Sequence, residues 1–211
     1  MTLYLVCAAA CLMVCMPLDY WLKKRNRTLA IVFKALGTAC AALIALHGAV
    51  NQGGIAWWCV AALTLCTLAD ALLEIHFLTG MGFFALGHVC YCVWYVLLAP
   101  LTAASGVAFA LLLVLALGLL TLWRNKLGKW RVPFTAYSVV LCLMGALATG
   151  AGIALGGAAG MLLLAGGLMF VLSDVMVCHN ILHPAPLWLD VVTMIIYYGA
   201  QLLLGVSCAL M

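Results

Sequence analysis

The chain has 211 residues, of which 69% are apolar and 7% charged, where an ordinary soluble domain carries roughly 25% charge. That composition excludes a soluble globular domain, and residues 1–18, 35–69, 75–123, 132–173 and 191–211 hold no Asp, Glu, Lys or Arg at all. The net charge of +4 comes almost wholly from two short basic clusters, 23–27 and 124–131, which points to anionic lipid headgroups beside membrane spans and not to nucleic acid.

Apolar runs near 2–21, 29–47, 56–76, 81–99, 104–123, 134–152, 158–179 and 187–208 predict eight transmembrane helices of about 20 residues each. In hydrocarbon every backbone N–H and C=O must be paired internally, and none of these runs shows the alternation of a barrel strand. The fold class expected is therefore all-α: a polytopic membrane helical bundle, one transmembrane domain over residues 1–211. The N-terminus has no basic leader and no small-residue cleavage site before its first cations, so it reads as a retained first span. The joints are short, at 51–54, Thr79-Gly80, 100–106, 149–157 and 183–186, which makes sequence neighbours antiparallel neighbours. With both basic clusters cytoplasmic, both termini are expected on the non-cytoplasmic side of an integral, multi-pass protein, in the inner membrane if the source is bacterial.

The 11 cysteines include no Cys-x-x-Cys pair and lie mostly within apolar runs, where they read as small packing residues. Trp21, Trp57, Trp58, Trp123, Trp130 and Trp188 fit interface belts. His47, His179 and His183 read as interfacial, and Tyr198 as a packing aromatic.

Ionisable groups inside spans are costly and mark function by default. Lys34, Asp70, His88 and Asp174 are all expected roughly 8–9 Å below the cytoplasmic boundary, at 1.5 Å per helical residue. Asp70 and Glu74 are i, i+4; His88, Tyr91 and Tyr95 follow i, i+3, i+7; Asp190, Met194, Tyr197 and Gln201 follow i, i+4, i+7, i+11. Three polar stripes thus point to one interior, where a single amine, Lys34, faces two or more carboxylates. Leu68-Ala69-Asp70 and Leu172-Ser173-Asp174 also echo one another on spans of the same direction. A parallel four-plus-four repeat would set the two aspartates face to face.

Two carboxylates at one pocket allow one to act as acid while the other acts as base, which suits cleavage of an acid-labile C–O bond through an oxocarbenium-like state. The same layer would serve a proton-coupled transporter of a small solute. A zinc hydrolase built on His88, His179, His183 and Asp70 is a third reading, weakened because His179 and His183 stand at a helix end beside prolines.

The stretch from Leu63 through Asp70 to Glu74, followed by Phe77, Gly80, Met81 and Phe84-Ala-Leu-Gly-His88-Val-Cys-Tyr91, resembles the lysoplasmalogenase (YhhN-like) family. So does the second half, in the same order: Pro133-Phe134 with Tyr137, Gly167-Leu-Met-Phe170-Val-Leu-Ser173-Asp174, and Tyr197-Tyr198-Gly-Ala-Gln201. Lys34 matches the lysine of an early Lys-Pro motif, although Ala35 replaces the proline and Ala69 replaces a glycine before Asp70. The resemblance implies an eight-span hydrolase that cuts the vinyl-ether bond of lysoplasmalogens to a fatty aldehyde and glycerophosphoethanolamine or glycerophosphocholine, with no cofactor or metal. It implies Asp70 and Asp174 as the catalytic pair, either one being the acid. Lys34, Glu74, His88, Tyr91, Tyr137, Asp190, Tyr197 and Gln201 are implied around the substrate. The partners expected are a lysophospholipid substrate and membrane lipids, and a homodimer is compatible with the sequence.

Overall fold

The computed structural model describes residues 25–211 together with 6, 14, 15, 17, 18, 21 and 22. The span expected over 2–21 and the pair Lys23-Lys24 lie outside the described residues apart from those scattered positions. Each remaining charge-free run closes its hydrogen bonds within a helix, as hydrocarbon requires. Seven long helices result: α1 Arg27–Gln52, α2 Ala56–Ile75, α3 Phe77–Leu98, α4 Ala103–Leu122, α5 Arg131–Leu155, α6 Gly157–Leu182 and α7 Leu187–Leu210. Among the described residues there is no strand, and all seven are long and apolar enough to cross a membrane, α5 together with the turn before it. The chain is a multi-pass membrane protein.

Local chemistry sets the helix ends. Asn26 caps α1 by accepting from the Leu29 N–H at 3.2 Å, and Gly53 and Gly156 end α1 and α5 at φ 70° and 64°, a region that costs glycine least. The joint expected at Thr79-Gly80 falls instead at His76, whose extended backbone ends α2 and whose Nδ1 accepts from the Thr79 N–H at 3.3 Å to begin α3. A side-chain cap outweighed the helix-breaking reputation of Gly80, which serves packing: a Cβ there would lie 2.4 Å from the Leu73 backbone nitrogen. The basic segment between α4 and α5 is not an open loop but a helical turn, Arg124–Leu127, and a 3₁₀ turn, Gly128–Trp130.

Six helices form a closed ring in the order α1, α2, α3, α5, α6, α7, and α4 lies outside it, resting on α5. These pairings persist when α1, α2 and α3 are exchanged for α5, α6 and α7, the pattern a parallel internal repeat would produce. Small residues bring the backbones together, as between helices that gain little from excluding water. A Cβ on Gly205 would stand 2.6 Å from the Ala41 carbonyl oxygen, and one on Gly48 2.7 Å from Ala209 Cα. Gly205→Leu is therefore expected to overpack the α1–α7 seam, costing roughly 1–3 kcal/mol and lowering the thermal midpoint in detergent. Gly118→Leu, on α4 with nothing within 4 Å of its would-be Cβ, is expected not to lower it.

Trp123 departs from the belt reading. It is turned inward, 9% exposed and packed with Leu127 and Phe134, while His179 and His183 stack on each other and meet its ring edge-on. Trp21, Trp57, Trp58 and Trp188 are outward-facing, as expected.

Candidate functional site

α1 and α2 run antiparallel, so residues one turn apart on each can mesh as two pairs. Lys34 and Thr38 lie one turn apart on α1, and Asp70 and Glu74 one turn apart on α2. Lys34 Nζ meets Glu74 Oε1 at 3.0 Å, and Thr38 Oγ1 donates to Asp70 Oδ2 at 2.5 Å. The Arg27 guanidinium closes the same end by donating to the Glu74 carbonyl oxygen. Of the carboxylates expected to face it, Lys34 makes its ion pair with Glu74.

Asp70, 1% exposed, is the terminus of a hydrogen-bond chain. Tyr91 OH donates to Gln201 Oε1 at 3.1 Å, Gln201 Nε2 donates to Tyr197 OH at 3.1 Å, and Tyr197 OH donates to Asp70 Oδ2 at 2.8 Å. Asp174 is held in the same way on the opposite side of the ring. Tyr137 OH donates to its Oδ2 at 2.5 Å, and His88 Nε2 stands 2.9 Å from the tyrosine oxygen and 3.5 Å from Asp174 Oδ2. Asp70 on α2 takes donors from α1 and α7; Asp174 on α6 takes its donor from α5 and stands 3.5 Å from His88 of α3. Under the exchange that preserves the ring, each arrangement maps onto the other, so the echo seen in the sequence extends to how each carboxylate is held.

Both aspartates line one cavity of about 380 Å³, with Lys34, Glu74, Tyr137, Asp190 and Tyr197 also on its wall. The rest of the lining is mainly apolar and comes from α3 to α7 as well as α2. Asp190, expected in the inner stripe, is an exposed rim residue whose carboxylate accepts from Asn180 Nδ2 at 2.9 Å. His88, Tyr91 and Gln201 are fully buried and lie behind the wall, where their hydrogen bonds reach the lining residues Tyr137 and Tyr197. Among the described residues His88 Nδ1 has no hydrogen-bond partner.

The common depth expected from residue counts is not kept by the helix ends. Counting 1.5 Å per residue from the helix ends beside the basic segments, Arg27, Ile75, Leu182 and Phe77, puts Lys34, Asp70, Asp174 and His88 about 10, 8, 12 and 16 Å inside. His88 nonetheless reaches Asp174, because α3 starts at Phe77 and α6 ends at Leu182, beyond the limits expected for either. Among the described residues no group of three or more His, Cys, Asp or Glu could share a metal ion; His88 pairs with Asp174, while His179 and His183 stack beside Trp123.

Sequence reasoning missed Thr38, Asn180 and Thr193. Thr38 carried a signal, being one turn from Lys34 on the same face; Asn180, which also donates to Thr193 Oγ1 at 3.3 Å, carried none beyond its place near a helix end.

One lysine ammonium and four carboxyl groups meet at this cavity, so groups able to give and to take a proton face the same space. Tyr137→Phe removes the hydroxyl donor to Asp174 and its link to His88. A typical intramolecular hydrogen bond contributes about 0.5–1.5 kcal/mol, so Tyr137→Phe is expected to lower the thermal midpoint in detergent by about 1–6 °C.

No curated protein and no solved structure matches the chain at a significant level. The model of the YhhN family matches residues 29–208, from the first turn of α1 to the last turn of α7, and the chain belongs to the YhhN family.

Proposed function

We propose that this protein is a membrane-embedded hydrolase that cleaves the vinyl-ether bond of lysoplasmalogens, releasing a fatty aldehyde and glycerophosphoethanolamine or glycerophosphocholine. The observation that carries the reading is the pair Asp70 and Asp174 on the wall of one largely apolar cavity, each held by its own hydroxyl donors. Family membership supports it.

In the proposed reaction one carboxylic acid gives its proton to the vinyl carbon remote from oxygen, and the ether carbon becomes an oxocarbenium centre. The second carboxylate stabilises that cation and takes a proton from the water that attacks it. The hemiacetal then collapses, the C–O bond to glycerol breaks, and the glycerol oxygen leaves with a proton. Asp174, whose side chain is 13% exposed where Asp70 is 1% exposed, is the acid in this reading, because water in the cavity can reprotonate it. Asp70, whose Oδ2 already receives two hydroxyl protons, is the carboxylate that faces the cation. Lys34 and Glu74 fix the α1–α2 wall beside it.

The topology proposed with this reading keeps eight spans, both basic clusters in the cytoplasm and both termini on the other side. The test is aldehyde release from a lysoplasmalogen by purified protein in detergent. In D2O the aldehyde is expected to carry one deuterium on the carbon next to the carbonyl; release without that deuterium, or no release at all, overturns the reading.

A further inference from the structure

The cavity has two kinds of boundary. Near the basic end of the bundle its rim is polar, with Asp190, Asn180 and the Lys34–Glu74 pair. Along α4 it is entirely apolar: Leu112, Leu115, Ala116, Leu119 and Leu120 line it. The first half of α4 lies tight on α5, where a Cβ on Gly150 would meet the Ser105 side chain. The cavity's inner end is closed where α4, α5 and α6 converge, since a Cβ on Gly145 would lie 2.6 Å from Val171 Cγ2 and 3.1 Å from Leu112 Cδ1. Beyond Leu112 the same α4 face lines the cavity, with Leu119 and Leu120 packed on the Trp123, Leu127 and Phe134 cluster at its far end.

At 100° per residue, Leu112, Ala116 and Leu119 form one stripe, while the exposed Leu111, Val114 and Leu122 form the outward face. Leu115 sits on the boundary between them. It lines the cavity and is also 55% exposed, so cavity wall and lipid-facing surface meet at that side chain. The ring closes without α4, so the second half of this helix covers the cavity from outside the ring.

We propose that the edge of α4 marked by Leu115 is a lateral window through which the single hydrocarbon chain of the substrate runs from the carboxylates into the bilayer. Water and the headgroup use the polar rim. This rests on the lysolipid reading for the identity of the chain. Its continuity with the two-carboxylate end and the closed floor at Leu112, Gly145 and Val171 leave a tail no deeper apolar path. A chain that leaves the protein sideways is not measured along its length, so tails longer than the cavity are all accepted.

The test pairs a long-chain lysoplasmalogen with a water-soluble analogue whose alkenyl group has only a few carbons. Leu115→Trp and Leu119→Trp are each expected to lower the long-to-short ratio of kcat/KM at least tenfold, while Leu111→Trp on the outward face leaves the ratio unchanged. An equal loss on both substrates, or no loss, overturns the window. A binding measurement separates this from the chemistry: an uncleavable alkyl-ether lysophospholipid carrying a diazirine in the first third of its chain is expected to label residues 115–123, and excess unlabelled lipid to displace it. Displaceable labelling in a protein that releases no aldehyde would overturn the hydrolase reading and keep the window. Labelling that excess lipid does not displace would overturn the window whatever the activity.

Discussion

Asp70→Asn and Asp174→Asn are each expected to cut aldehyde release at least about a hundredfold, the range for a positioned general acid or base, while the protein keeps its thermal midpoint. The second half of that expectation follows from the geometry. Thr38 and Tyr197 both donate to the same oxygen of Asp70, and Tyr137 and His88 both approach the same oxygen of Asp174. An asparagine that places its carbonyl oxygen at that position keeps the donors it faces and loses only the ability to exchange a proton or stabilise a cation. Activity and stability thus separate, and a folded, inactive variant reports chemistry. If either variant retains activity within tenfold of the wild type, that aspartate leaves the proposed mechanism.

Lys34→Met is expected to be the most destabilising single change in the site. It removes the ammonium facing Glu74, whose side chain is 24% exposed, so the cost falls between that of a surface pair and a fully buried one, roughly 1–3 kcal/mol, or about 2–12 °C in the thermal midpoint for a chain of this size. Lys34→Met combined with Glu74→Gln removes both charges and is expected to recover most of the loss, because a buried pair contributes little beyond what an uncharged pair provides. Thermal unfolding of the three proteins in one detergent measures this. A single variant as stable as the wild type would mean that water reaches the pair well enough to solvate the glutamate alone. Since Lys34 makes its ion pair with Glu74, the double variant is also expected to keep more activity than either aspartate variant.

The exchange relation between the two halves bears on why this fold suits two carboxylates. Each aspartate sits on the middle helix of its three, takes a donor from the first helix of its own half and is approached by a side chain from the third helix of the other half, Tyr197 donating to Asp70 and His88 standing 3.5 Å from Asp174. The halves are therefore tied through the site itself. A change at Tyr197 acts on Asp70 but not on the hydroxyl that holds Asp174.

The seven described spans were legible in the sequence because charge-free runs of this length have one solution in hydrocarbon, a helix. The candidate residues were legible for a related reason: an ionisable group in such a run is rare enough to stand out, and i, i+4 spacing already places Asp70 with Glu74 on one face. What the residues could not say by themselves is which partner each one meets. Glu74 and Asp70 are one turn apart, and only the axial register of α1 against α2, set by close packing along the helices, decides that Lys34 meets the first and Thr38 the second. Register also brings His88 to Asp174 despite unequal distances from their helix ends, turns Trp123 inward, and leaves α4 outside the ring over an open cavity. Local chemistry determines the helices; the shapes of small residues at their crossings, which no single run encodes, decide how they meet.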